Sequence, residues 1–215
     1  DNTILKDQLN LMRVGEPMYV FYGYVEDGYD ENGHIVYKNM DDDPAITAAD
    51  KTIIGDPNPD FLVNLTTAVS YKGFTLSAFF QSSIGNDIYS LSMAAQAYDY
   101  GYNGNTLREV YYNHWTPENP TAKYPNLDQT SYKMSDRFVY DGSFVRLKNL
   151  ELAYDVPCAR NKFIKRARVY VSAQNLFTIT SYPFWDPDIN ANGGGSSMIQ
   201  GVDSYCYPSA VSYTH

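Results

Sequence analysis

The sequence lacks most of the features that mark enzymes, membrane helices and nucleic-acid-binding proteins. Its 215 residues include two cysteines, Cys158 and Cys206, too few for a disulfide scaffold and without metal-ligand spacing. No run of about 20 apolar residues is present, which excludes a membrane-spanning helix. The net charge of −9 argues against binding to nucleic-acid phosphates. Because nucleophile elbows, phosphate loops and paired catalytic carboxylates are also missing, we predict that the chain is not an enzyme.

Aromatic residues, by contrast, are abundant. They make up 15% of the chain and include 21 tyrosines, while charged residues contribute 19%, below the roughly 25% usual in soluble domains. Glycine and proline recur along the whole length. Such a composition is typical of an all-β protein with many loops.

The clearest pattern is a hairpin predicted over residues 61–84. It follows Ile54-Gly55-Asp56-Pro57-Asn58-Pro59-Asp60, where two prolines stiffen the backbone. Bulky apolar and small polar side chains then alternate on both sides of a tight turn at Lys72-Gly73. Each strand has about ten residues, the length of a tilted strand that crosses a bilayer. The predicted fold class is therefore all-β, with antiparallel strands forming part of a large transmembrane β-barrel that has long external loops.

A second hairpin is predicted over residues 143–178, and residues 209–215 begin a final strand. Apolar residues before and after Lys148-Asn149 fall in opposite phases, so one extra residue there, a β-bulge, is needed to keep them on one face. Across both hairpins we expect lipid contact for Val63, Leu65, Val69, Leu76, Phe80, Leu152, Val169 and Val171. We expect lumen contact for Asn64, Thr66, Ser77, Gln81, Ser172 and Gln174.

The remaining segments are predicted as external loops over residues 13–60, 85–142 and 179–208. Long external loops and short periplasmic turns are typical of outer-membrane barrels. Four full strands and a short fifth cannot close such a barrel, and open edges in hydrocarbon are costly. We therefore expect residues 1–215 to be the C-terminal portion of a longer protein.

Residues 39–50 form an acidic segment with the spacing of a calcium site. Oxygen-bearing side chains occupy positions one, three, five, nine and twelve, as in an EF-hand-like loop. Pro44 replaces the turn glycine and Asp50 the longer bidentate glutamate, so an acidic surface turn is the alternative. Calcium is the one candidate cofactor, with expected ligands Asn39, Asp41, Asp43 and Asp50.

Five blocks of the sequence resemble the SusC/RagA-type TonB-linked outer-membrane receptors. They are IGDPNPDF, SYKGFTLSAFFQSSIGNDIY, DGSFVRLKNLELAYDVP, VYVSAQNLFTITSY and GVDSYCYPSA, which occur in the family's order. The resemblance implies a bacterial outer-membrane protein that imports oligomeric nutrients, either glycan or peptide. It further implies a SusD-like surface lipoprotein as partner, and a TonB contact through an N-terminal plug that this chain does not contain.

Aromatic residues of the predicted external loops are candidate substrate contacts. Their rings stack on sugar rings, and Tyr and Trp also form hydrogen bonds. The alternative is that they pack loop against loop or against the lipoprotein, or form the aromatic girdle. The candidates are Tyr98, Tyr100, Tyr102, Trp115, Trp185 and Tyr205.

A soluble β-sandwich carbohydrate-binding module is the alternative function. It would share the tyrosine and tryptophan content and the acidic turn. Two long loops and ten-residue strands argue against it, because sandwich strands commonly have about five or six residues.

Overall fold

The computed structural model describes residues 3–6, 9–98, 105–129, 131–158, 166–189, 200–204 and 211–214, with backbone alone for 3–6, 98 and 211–214. The chain divides into two compact units. Unit 1 comprises residues 1–58, 86–141 and 188–206, and unit 2 comprises residues 59–85, 142–187 and 207–215. Within the described ranges, no helix is long and apolar enough to cross a membrane.

Short strands dominate unit 1 and long strands unit 2. In chain order the elements are β1 (Thr3–Lys6), β2 (Asn10–Arg13), β3 (Val20–Gly23), β4 (Glu26–Tyr29), β5 (Ile35–Tyr37), β6 (Thr52–Gly55), β7 (Phe61–Tyr71), β8 (Phe74–Ile84), β9 (Asp87–Ser90), α1 (Leu91–Tyr98), α2 (Arg108–Tyr112), β10 (Val139–Asp141), β11 (Phe144–Val156), β12 (Ala167–Thr180), β13 (Val202–Asp203) and β14 (Val211–Thr214). Turns of 3₁₀ helix span Ala48–Asp50 and Asp136–Phe138.

Unit 2 is built on a five-stranded antiparallel sheet with the order β14-β12-β11-β8-β7. β7 and β8 pair along their full length, from Phe61 opposite Ile84 to Tyr71 opposite Phe74. The tight turn predicted at Lys72-Gly73 is confirmed, and both residues have the positive φ values, 48° and 89°, that a two-residue hairpin turn requires. The strands of this sheet lie side by side in chain order, which is the meander of an up-and-down barrel wall.

The register separates the sheet into two chemically distinct faces, because residues opposite each other on antiparallel strands share a face. Val69 lies opposite Leu76, Leu76 opposite Leu152, and Leu152 opposite Val171. The predicted grouping of side chains is therefore confirmed. The apolar face carries Phe61, Val63, Leu65, Val69, Phe74, Leu76, Phe80, Val145, Leu147, Leu150, Leu152, Val169 and Val171. The polar face carries Asn64, Thr66, Ser77, Gln81, Arg146, Glu151, Arg168, Ser172, Gln174 and Thr178.

The β-bulge predicted near Lys148-Asn149 is also confirmed. The register of β11 shifts between Leu147 and Asn149 against both of its neighbours, β8 and β12. Relative to β8, β11 has one extra residue, Lys148. The extra residue keeps Leu147 and Leu150 on the apolar face although they are an odd number of residues apart.

Unit 1 has a packed core, built from segments that were predicted as external loops. Its strands form the antiparallel sheet β1-β2-β3-β6, the hairpin β4-β5 and the sheet β10-β9-β13. Phe21, Tyr89 and Phe138 are fully buried, and the Tyr89 ring centroid lies 5.8 Å from that of Phe21 and 5.9 Å from that of Phe138. Strands of two to four residues are too short to show the alternation that marks β7 and β8, so sequence patterning could not reveal this unit. An external location of its segments stays a prediction.

Candidate functional site

In the acidic segment 39–50, side-chain oxygens accept hydrogen bonds from backbone N–H groups of the same segment. The Asn39 Oδ1 accepts the Asp41 N–H at 3.1 Å, the Asp41 Oδ1 accepts the Asp43 N–H at 2.9 Å, and the Asp43 Oδ1 accepts the Ala45 N–H at 3.0 Å. Each contact is an Asx turn, in which a side chain mimics a backbone carbonyl. Three of the four predicted calcium ligands therefore hold the loop in shape.

The fourth predicted ligand, Asp50, closes the loop and is completely buried. Its Oδ1 accepts the Met40 N–H and its Oδ2 accepts the Thr47 N–H, both at 2.7 Å. The Thr47 hydroxyl in turn accepts the Ala49 N–H, which completes a capping box. These backbone donors, that of Met40 foremost, hold the pKa of Asp50 below its usual range.

The described part of the chain contains no group of three or more His, Cys, Asp or Glu side chains that could hold a metal ion. The predicted ligands share one loop, and their side-chain oxygens accept hydrogen bonds from that loop's own N–H groups. Calcium binding therefore stays a prediction.

Calorimetric titration tests the calcium prediction. If the loop binds calcium, Asp41 and Asp43 coordinate it at about 2.3–2.6 Å. The purified receptor that carries this chain should then release heat on calcium addition, and Asp43→Ala should abolish that heat. Asp42→Ala is the matched control, since Asp42 occupies an adjacent position that supplies no predicted ligand. Identical heats from the wild type and Asp43→Ala would leave the acidic-turn interpretation.

Acid should open the same loop. Because the pKa of Asp50 is depressed in the folded state, its stabilisation is complete above the unfolded value of about 3.9 and fades as the pH falls through the folded value. Hydrogen exchange, corrected for intrinsic rates, should show the Met40 and Thr47 amides losing protection as the pH falls below the unfolded value of about 3.9. The Trp115 amide, bonded to the Tyr124 carbonyl at 2.8 Å, is the internal control. Asp50→Asn should produce the loss already at neutral pH; full protection there would contradict the role assigned to Asp50.

The predicted aromatic contacts are distributed over both units. Trp115, in unit 1, packs against Gly33, where an added Cβ would overlap the indole ring. This contact supports loop packing as the role of Trp115. Trp185 belongs to unit 2 and is 50% exposed. Substrate contact by either residue stays a prediction, and the side chain of Tyr98 with Tyr100, Tyr102, Tyr205 and Cys206 lies outside the described residues.

Sequence reasoning missed a pair of exposed tyrosines on α2. Tyr111 and Tyr112 are more than half exposed, and their ring centroids lie 5.2 Å apart. The Arg108 guanidinium lies 5.6 Å from the Tyr112 ring centroid. A five-residue helix gives too little periodicity for a sequence pattern to mark this surface.

A cleft of about 610 Å³ in unit 1 was also missed. Its volume is within the range of small-ligand sites. The Tyr37 hydroxyl at its wall accepts the Lys133 N–H at 2.8 Å, and burial raises the pKa of Tyr37 to about 12, which keeps the phenol neutral. The lining is mainly apolar and could take an apolar group. It is formed by Ile35, Val36, Tyr37, Ile46, Gln129, Ser131, Tyr132 and Lys133.

Buried charge on the polar face of unit 2 is the third feature that the sequence did not reveal. Arg146 of β11 pairs with Asp186, which follows β12, and both side chains are less than one-tenth exposed. From the sequence pattern alone, a single arginine on the polar face of a strand is interpreted as an ordinary solvent-exposed residue. The sequence signal for a covered position is the large apolar Phe144, which shares the polar face with Arg146 and is buried.

A long-stranded antiparallel meander with one exposed apolar face and one polar face defines the wall of a membrane β-barrel. Comparisons with known proteins identify the barrel more closely, although no family model matches the sequence. The TonB-dependent receptor P3 of Formosa agariphila is 32% identical over 98% of this chain and 23% of that protein. The TonB-dependent receptor SusC of Bacteroides thetaiotaomicron is 29% identical over 94% of this chain and 19% of that protein.

Solved structures agree with these relatives. The RagAB peptide importer in the closed-closed state superposes with a TM-score of 0.79 at 26% identity, covering 97% of this chain and 24% of that chain. The RagAB peptide transporter gives a TM-score of 0.80 at 25% identity, with the same coverage. The chain belongs to the SusC/RagA-type TonB-dependent receptors. It spans about a quarter or less of the length of the relatives it matches.

Proposed function

We propose that this chain forms part of an outer-membrane TonB-dependent transporter that imports oligomeric nutrients, and that it supplies a section of the barrel wall. The observation that carries the proposal is the exposed apolar face of unit 2. Val63, Leu65, Val69 and Val169 are each more than half exposed. Apolar surface left in water costs about 25 cal/mol per Å², and contact with lipid tails removes that cost. We therefore propose the bacterial outer membrane as the location, since it provides lipid for the apolar face and is where TonB-dependent receptors act.

Strand length supports a barrel wall over the soluble sandwich module. β7 and β8 have 11 residues each, β11 has 13 and β12 has 14. A tilted strand needs about 9–11 residues to cross a bilayer, whereas strands of globular sheets commonly have about five or six. The comparisons give no support to the module.

The proposed partners follow from the relatives and from the predicted aromatic contacts. A SusD-like surface lipoprotein would help capture the nutrient, and TonB would act through a plug outside this chain. The substrate is proposed to be a glycan or a peptide; RagAB is named a peptide importer, and the aromatic candidates suit sugar rings equally. Import rather than catalysis is proposed, because the relatives are receptors.

Fractionation and uptake together test the proposal. The protein should sediment with outer membranes and require detergent for extraction, whereas solubility in buffer would favour the carbohydrate-binding module. Cells that express the receptor should take up fluorescent oligosaccharides or oligopeptides, and a protonophore should stop the uptake. Membrane-bound protein that gives no uptake of either probe class, relative to a deletion strain, would contradict the import function.

A further inference from the structure

The polar face of unit 2 carries ion pairs of two kinds. Glu151 and Arg168 lie 3.7 Å apart, and about a third of each side chain is exposed. Such a pair contributes little, since water screens it. Arg146 and Asp186, by contrast, are only 3% and 9% exposed. On the apolar face, the two neighbours of Arg146 differ, since Val145 is 40% exposed and Leu147 only 5% exposed.

The Arg146 side chain contacts residues of β11 and β12 as well as Asp186. Its Nε donates to the Thr178 hydroxyl at 2.9 Å, and Thr178 lies directly opposite on β12. The guanidinium carbon lies 5.1 Å from the centroid of the Phe144 ring. The Nη2 donates to the Asp186 Oδ1. Three contacts therefore hold one planar cation whose donors are arranged in a rigid fork.

The segment that carries Asp186 is also held at its N-terminal end. We name residues 181–187 the strap. At its start, the Thr180 hydroxyl donates to the Ser143 carbonyl at 2.9 Å and accepts the N–H of the buried Tyr182 at 3.1 Å. At its end, Asp186 meets Arg146. Trp185 lies between these two attachments and is half exposed.

Burial makes the Arg146–Asp186 contact an all-or-none interaction. A buried charge left without its partner costs far more than an intact pair gains. Partial loosening is therefore unfavourable, and the stable alternatives are a closed pair or a pair in which both groups have returned to water. Buried ion pairs are best attested as devices that select one conformation rather than as sources of stability.

We propose that Arg146 and Asp186 form a clasp that holds the strap folded onto the polar face of β11 and β12, and thereby fixes the position of Trp185. Opening the clasp frees the end of the strap and uncovers Arg146. The clasp is a conformational device of the wall itself, and it operates whether the imported nutrient is glycan or peptide.

Limited proteolysis of the full receptor in detergent tests the clasp. Chymotrypsin can cleave the strap after Phe184 or Trp185, while Pro183 prevents cleavage after Tyr182. Asp186→Asn and Arg146→Gln should each raise the cleavage rate in the strap at least about tenfold, because either removes one charge of a buried ion pair. Glu151→Gln, which breaks the exposed pair on the same face, should leave the rate unchanged.

Two further variants separate clasp opening from failure to assemble. The charge-reversed double variant, Arg146→Asp with Asp186→Arg, should restore much of the protection. Thr178→Val keeps both charges but removes one anchor of Arg146, and should raise cleavage by a smaller factor. Assembled Asp186→Asn receptor that is as resistant as the wild type would overturn the proposal. If the single-charge variants do not assemble, an unchanged cleavage rate in Thr178→Val would overturn it.

Discussion

Replacing Val171 with arginine is expected to lower the free energy of unfolding of the membrane-inserted receptor by about 2–4 kcal/mol, the range for an arginine that faces lipid near the bilayer midplane. Val171 lies on the apolar face opposite Leu152, and 52% of its surface is exposed. A guanidinium at this position must either enter hydrocarbon or distort the strand to reach water.

The adjacent residue supplies the matched control. Ser172 lies on the polar face directly opposite Glu151, so Ser172→Arg places the same side chain beside a carboxylate instead of lipid. We expect an effect near zero for this variant. Urea unfolding of receptor in lipid vesicles, followed by tryptophan fluorescence, compares the two. Equal losses of stability from Val171→Arg and Ser172→Arg would refute the assignment of the faces.

The wall of unit 2 could be predicted from sequence because its information is local. Side chains alternate with a period of two over eleven or more residues, and a register slip would move every apolar residue to the wrong face. The same reasoning located the bulge at Lys148, since only an extra residue reconciles the two phases of β11. The turn at Lys72-Gly73 could be predicted because few residues other than glycine tolerate the positive φ of a two-residue hairpin turn.

Unit 1 and the clasp could not be predicted because their contacts join distant segments. Phe21, Tyr89 and Phe138 come from three separate stretches, each too short to be periodic. Asp186 lies 40 residues from Arg146 in the sequence, and no local spacing links the two residues. A long-range pair of this kind leaves no trace in local spacing.

The acidic loop is an intermediate case. Its alternate oxygens were recognised and assigned to a cation, and the structure shows most of them bonding to nearby N–H groups. The capping role of Asp50 was not predicted, although Thr47 and Asp50 have the spacing of a capping box. A metal-ligand pattern and a capping pattern use the same residue types, so spacing alone cannot separate them.

Truncating Phe138 to alanine is expected to lower the free energy of opening of unit 1 by about 3–5 kcal/mol. The side chain is fully buried, and its ring centroid lies 5.9 Å from that of Tyr89 and 5.4 Å from that of Tyr132. The loss combines the transfer energy of the ring with the cavity that remains between these partners.

Native-state hydrogen exchange measures this opening segment by segment. The Tyr89 amide, bonded to the Gly201 carbonyl at 2.9 Å, should lose protection in Phe138→Ala, while amides in β8 and β11 of unit 2 keep theirs. Tyr111→Ala is the control, since that ring is 61% exposed and its removal leaves no cavity in the core. If segments of unit 1 were independent loops, Phe138→Ala and Tyr111→Ala would have equally small effects, because no shared core would exist for either residue to support.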